Sequence, residues 1–144
     1  MKNKYLFILF LFILFFNFCS VFAAENVPYL IQGELSTEES EIYDFMGFNF
    51  LFKNKGVKTI SKLTVVFYVF DENGEPPFGM KNHIVLNINC NIEPNEIIED
   101  CISLDEFIFS FESSGYVIDY LYISQILYDD GAVWTDSFGV FATY

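Results

Sequence analysis

Thr59-Ile60-Ser61-Lys62-Leu63-Thr64-Val65-Val66-Phe67-Tyr68-Val69-Phe70 is the stretch on which the fold turns. β-Branched and aromatic residues fill it, and such side chains fit a pleated surface better than a helix. Its second half is apolar at successive positions, so both faces of this strand are covered, as in the middle of a sheet. Asp71-Glu72-Asn73-Gly74-Glu75-Pro76-Pro77 stops it. Asn-Gly favours positive φ, and proline cannot continue a ladder.

The segments on either side read the same way. Phe48, Phe50 and Phe52 alternate with a mixed set, the period of a half-buried strand, and Lys53-Asn54-Lys55-Gly56 turns the chain. Across residues 83–90, Ile84, Leu86, Ile88 and Cys90 take one face, and His83, Val85, Asn87 and Asn89 the other. Glu93-Pro94-Asn95-Glu96 is the next turn. Residues 101–111 predict a strand with Phe107, Phe109 and Phe111 on one face. Ser113-Ser114-Gly115 turns again, residues 117–128 form a long aromatic-rich strand, and residues 132–141 pair back across Asp129-Asp130-Gly131. Thr37 to Glu41 predicts one short helical turn. With roughly seven strands, the expected architecture is one antiparallel immunoglobulin-like β-sandwich, a small β-barrel being the second arrangement.

That domain occupies residues 24–144. Ahead of it, Lys2 and Lys4 precede an unbroken apolar run from Tyr5 to Phe16, and Val21 and Ala23 stand at −3 and −1 of a small-residue cleavage site. This is the order of a secretory signal peptide, residues 1–23. An uncleaved anchor is the alternative, since a bilayer takes about 20 apolar residues; the short core and the Ala-Ala exit favour cleavage. Lipid attachment at Cys19 would follow Phe18, where a small residue is usual. The expected location is therefore periplasmic or secreted, or membrane-anchored if the signal stays on, with no membrane insertion after cleavage.

Two of the seven basic residues leave with the signal, so five lysines face 20 acidic residues, a formal −15. Such a chain does not neutralise phosphates, which excludes nucleic acid as a partner, and anionic lipid repels it. A cationic partner, divalent cations or plain solubility remain. Cys90 and Cys101 survive processing, and an exported pair at this spacing is read as a disulfide. Two buried free thiols are the other reading. Two thiols and the distant His83 do not complete a zinc site.

Phe67-Tyr68-Val69-Phe70-Asp71 resembles the F-x-L-Y-D motif of the FxLYD sandwich family, with Val for Leu and Phe for Tyr. The asparagine turn before it, the Glu72-Asn73-Gly74 turn after it and the turn at Pro94 are similar too, with Asn95 where Gly is usual. The resemblance spans roughly residues 44–112. Residues 123–134 are similar to the closing hairpin of uncharacterised bacterial envelope domains. The likeness implies an exported bacterial sandwich without a known active site, so it assigns no catalytic residues and no cofactor.

The remaining residues are weighed singly. Asp71, Asn73 and Glu75 offer oxygen ligands around a glycine turn, and Asp129 and Asp130 would join them if both turns lay at one end; Asx-Gly hairpin turns account for all five without calcium. His83 has no G-x-S-x-G elbow to serve and reads as a strand-face histidine. With 20 acidic residues, a chance carboxylate pair is expected, so a hydrolase rests on count alone. Tyr120, Tyr122 and Tyr128 share parity, with Trp134 in the next strand. On parity they line one sheet face unless a bulge intervenes; exposed, that face would be a patch for protein or sugar contact, but the favoured reading is that the rings fill the core with their hydroxyls at its edge. The chain is thus expected to be a non-enzymatic interaction or structural module whose partner is a protein or cell-envelope component.

Overall fold

The computed structural model describes residues 27–38, 45–109 and 115–143. The signal segment, Cys19, the far half of the helical turn expected near Thr37, and Phe111 lie outside those residues. Seven strands follow in order: β1 (Tyr29–Glu38), β2 (Phe45–Asn54), β3 (Ile60–Phe70), β4 (His83–Ile92), β5 (Ile97–Ser103), β6 (Val117–Tyr128) and β7 (Val133–Thr135). They form a three-stranded sheet, β1-β2-β5, and a four-stranded sheet, β4-β3-β6-β7. Every pairing is antiparallel. The chain is an all-β, two-sheet sandwich, and among the described residues no closed barrel forms. The strand order is immunoglobulin-like, with the fourth strand beside the third.

β3 lies between β4 and β6, as its two-faced apolar composition requires. Ile60, Leu63, Val65, Phe67 and Val69 enter the core from it. β2 supplies Met46, Phe48, Phe50 and Phe52 from the other sheet. The Phe48 and Phe67 rings stack across the sandwich, centroids 4.5 Å apart. Burying one such ring stabilises by about 1.5–3 kcal/mol, so the phenylalanine ladder is the main adhesive between the sheets.

Three expectations need correction. Thr37 ends a ten-residue strand rather than opening a helical turn. Tyr29, Ile31 and Leu35 face the core from β1 while Leu30, Gln32 and Glu34 face out. Gly33 interrupts the inward set because a Cβ there would meet the Phe48 ring. The strand expected at residues 101–111 begins earlier, at Ile97, and ends at Ser103, followed by a 3₁₀ turn over Asp105–Phe107. Phe107 is buried, but Phe109 is 71% exposed, so the two do not share a face. The closing strand is three residues long, and residues 136–143 instead fold back as a loop.

The turns behave as their chemistry demands. Asn95 takes φ 65° and Gly131 φ 82°, conformations that Asn and Gly tolerate best. Asn54 is fully buried at the base of the sandwich. Its Nδ2 donates to the carbonyls of Lys58, Ile92 and Glu93, and its Oδ1 accepts the Gly56 N–H. One side chain thereby ties the β2–β3 turn to the β4–β5 turn.

Candidate functional site

The outer face of the four-stranded sheet is built by the side of β3 that turns away from the core: Lys62, Thr64, Val66 and Tyr68. Register sets their neighbours. Asn89, Asn87, Val85 and His83 stand opposite these four on β4. On β6, Gln125 stands opposite Thr64 and Tyr122 opposite Val66, and Thr135 of β7 lies opposite Gln125. One row therefore crosses all four strands as Asn87, Thr64, Gln125 and Thr135. The Thr64 and Asn87 side chains bond directly, Oγ1 to Oδ1, at 3.2 Å.

A second row is aromatic. The His83 and Tyr68 rings stack at 4.8 Å. Tyr68 meets Tyr120 edge-on at 6.1 Å, and Tyr120 meets Tyr122 edge-on at 5.7 Å. Tyr120 reaches this side through a bulge, where the β3 register skips from Val66 opposite Tyr122 to Tyr68 opposite Asp119. It adopts φ 56°, a conformation that costs a non-glycine residue about 1–3 kcal/mol and collects at sites the surroundings hold in place.

Residues 136–143 hold it. Asp136 is buried, and its carboxylate accepts the N–H groups of Phe138, Val140 and Phe141. Tyr120 donates its hydroxyl to the Phe138 carbonyl at 3.1 Å. Gly139, at φ 64°, lies so close that a Cβ would stand 2.7 Å from the Tyr120 ring. Tyr122 is thus covered, Val66 opposite it is buried too, and burial, with Tyr68, Asp136 and Tyr120 nearby, raises the Tyr122 hydroxyl above its usual 10.0. His83, Val85, Asn87, Asn89, Gln125 and Thr135 remain exposed around them. From the strands, Lys62 and Asp119 are the charged side chains of this face, on a chain with 20 acidic residues.

The expected aromatic face is split in two. A second register shift, where Thr64 meets Gln125 but Val65 meets Ile123, leaves Ser124 extra and reverses the alternation of β6. Tyr120 and Tyr122 lie outside; Tyr128 and Trp134 turn inward and pack on the core. Trp134 meets Tyr29 edge-on at 5.5 Å. Tyr68 and His83 take their places on the outer face. Parity along one strand does not reveal cross-strand neighbours, which is why these two were missed; the alternation of β4 was the available signal.

The expected Cys90–Cys101 disulfide is not formed; both cysteines are free. Cys90 lies on β4, packed toward the core, with its Sγ 3.7 Å from the Ile60 carbonyl. Cys101 lies on β5 of the other sheet, opposite Asn49 and exposed. The turn between β4 and β5 carries the chain from one sheet to the other, so strand parity placed Cys90 correctly but not its partner.

The two acidic turns do not converge. Asp71 follows the end of β3 that pairs with Val117, and Asp129 follows Tyr128, which pairs with the start of β3. Eleven residues of strand separate them, about 35 Å. Asp71 is occupied as an Asx turn, its Oδ1 accepting the N–H groups of Asn73 and Glu75, chiefly the latter, which hold its carboxyl below 3.8. Asp130 pairs with Lys58 at 2.6 Å. Among the described residues, no three His, Cys, Asp or Glu side chains gather where they would hold a metal ion.

The three-stranded sheet carries a shallow open groove of about 580 Å³ on its outer side, lined by Gln32, Glu34, Asn49, Leu51, Glu99 and Cys101 among others. Its carboxylates, Glu34, Glu99 and Asp100, make it a solvated acidic surface.

No family model matches the chain, and no curated protein matches it. Among solved structures, it is similar to a hypothetical protein from Peptoclostridium difficile 630, at 12% identity over 78% of this chain and 88% of that one, with a TM-score of 0.54. That likeness is one of fold.

Proposed function

We propose that this chain is an exported, non-enzymatic interaction module of the bacterial envelope or secreted space, and that it binds through the outer face of the β4-β3-β6-β7 sheet. One observation carries the choice of face. A chain of formal charge −13 presents there a four-strand surface of amide, hydroxyl and aromatic side chains with a single lysine and a single aspartate. Solubility alone would spread the acids over every exposed strand face; a surface spared from charge is one whose charge would be desolvated by a partner. The signal-like N-terminus supports export, and the FxLYD-like stretch is in keeping with a sandwich of that kind.

Photo-crosslinking from the native envelope tests it. A photoreactive residue at Val85 should capture a discrete adduct, protein or polysaccharide, and the same residue at Gln32 on the opposite sheet should not. Identical smears from both positions would refute the assignment of the face.

A further inference from the structure

The two rows of the outer face differ in what they can recognise. The Asn87-Thr64-Gln125-Thr135 row is uncharged throughout, and each side chain carries both a donor and an acceptor. It crosses four strands, about 14 Å. Beside it lies Val85, exposed next to the covered pair Val66 and Tyr122, and beyond that the His83-Tyr68-Tyr120 rings. Hydrogen-bonding groups in one line and apolar surface in the next describe a ligand with the same two textures along its length.

We infer that this face binds a neutral polysaccharide chain, whose hydroxyls meet the amide row and whose C–H surfaces lie on Val85 and the aromatic rims. The inference rests on the binding face proposed above and names its ligand. Charge argues for the choice. An anionic polymer or a phosphorylated lipid would need more cations than Lys62, and a cationic one more acids than Asp119. Either would bury unpaired charge against amides, which costs more than the amides return. An extended peptide is better served elsewhere: it would add in the plane of the sheet along the outer edge of β4, which pairs with no other strand among the described residues, using backbone groups rather than this row. A ligand with a donor and acceptor on almost every carbon, and no charge, satisfies Asn87, Thr64, Gln125 and Thr135 together.

The test is titration of the ¹⁵N-labelled domain with cellohexaose, chitohexaose, maltohexaose and mannohexaose, followed by amide shifts. At least one sugar should move the signals of Asn87, Thr64 and Gln125, with a Kd below about 1 mM. Asn87→Asp and Gln125→Glu keep side-chain shape but place charge in the row. Each should weaken that binding by about tenfold, whereas Gln32→Glu on the other sheet should not. The folded spectrum of each variant serves as its own control. No shift with any sugar up to about 10 mM, while Val85 still crosslinks a protein, would overturn the polysaccharide and leave the face. No shift and no specific crosslink would overturn both.

Discussion

Asn54 shows how much a single buried amide can hold. It is fully buried, yet all its hydrogen-bonding groups are spent on two turns that would otherwise leave carbonyls facing nothing. Asn54→Ala abandons those carbonyls and should cost roughly 3 kcal/mol, seen as a lower urea midpoint at unchanged m. Asp71 acts on a smaller scale and with a pH signature. Its carboxyl is held below 3.8 by backbone N–H groups, so it stabilises the fold above that pH and loses its effect as the carboxylate protonates below it. Asp71→Asn should therefore lower Tm slightly above about pH 5 and make no difference below about pH 2. A Tm deficit of equal size at both ends would mean that the side chain's shape, not its charge, holds the turn.

At the scale of elements, the C-terminal loop and β6 support one another. Asp136 gathers three backbone N–H groups, and the loop it shapes covers Tyr120 and Tyr122. Asp136→Ala should free residues 138–141 to exchange their amides faster. It should also red-shift the emission of Trp134, the chain's one tryptophan, which packs beside Phe141. Gly139→Ala attacks the same contact from the other side, through positive φ and a Cβ pressed on the Tyr120 ring, and should cost about 1–3 kcal/mol. Emission and exchange unchanged in both variants would show that the loop is not what keeps Tyr120 in its strained conformation. The same element marks the limit of sequence reading. β4 was legible because its alternation runs unbroken from His83 to Cys90, and β3 because a run of β-branched and aromatic residues covers both of its faces. β6 was legible as a strand but not as a surface, because an extra Ser124 and the left-handed Tyr120 each displace the alternation that parity assumes. β1 was hidden by Gly33, an inward position where the demand of the Phe48 ring leaves no hydrophobic side chain to count. Of the four rings in the aromatic row, Tyr120 and Tyr122 were therefore named beforehand; that Tyr68 and His83 join them depends on a register that only pairing reveals.

For the whole molecule, the free thiols and the proposed export make a joint prediction. Stability here rests on the phenylalanine core, with no crosslink between the sheets. The two thiols differ in environment: Cys101 is exposed, while burial pushes the Cys90 thiol up to about 11. Thiolate is the reactive form, so at about pH 8 native protein should take up alkylating reagent at Cys101 and spare Cys90, which should react only after unfolding. Above the ordinary cysteine value of 9.0, the unfolded chain ionises first, so stability should decline as pH rises from there toward 11. Protein recovered from its own host should have the mass of residues 24–144, and after unfolding should carry two alkyl groups without prior reduction. A mass retaining Met1, or one with acyl chains at Cys19, would place the proposed binding face at a membrane surface instead, where the same uncharged row would have to find its proposed ligand within reach of the lipid. Two cysteines that refuse alkylation until reduced would require β4 and β5 to approach across the sandwich edge, and would thereby contradict the sheet assignment of Cys101 on which the outer faces are defined.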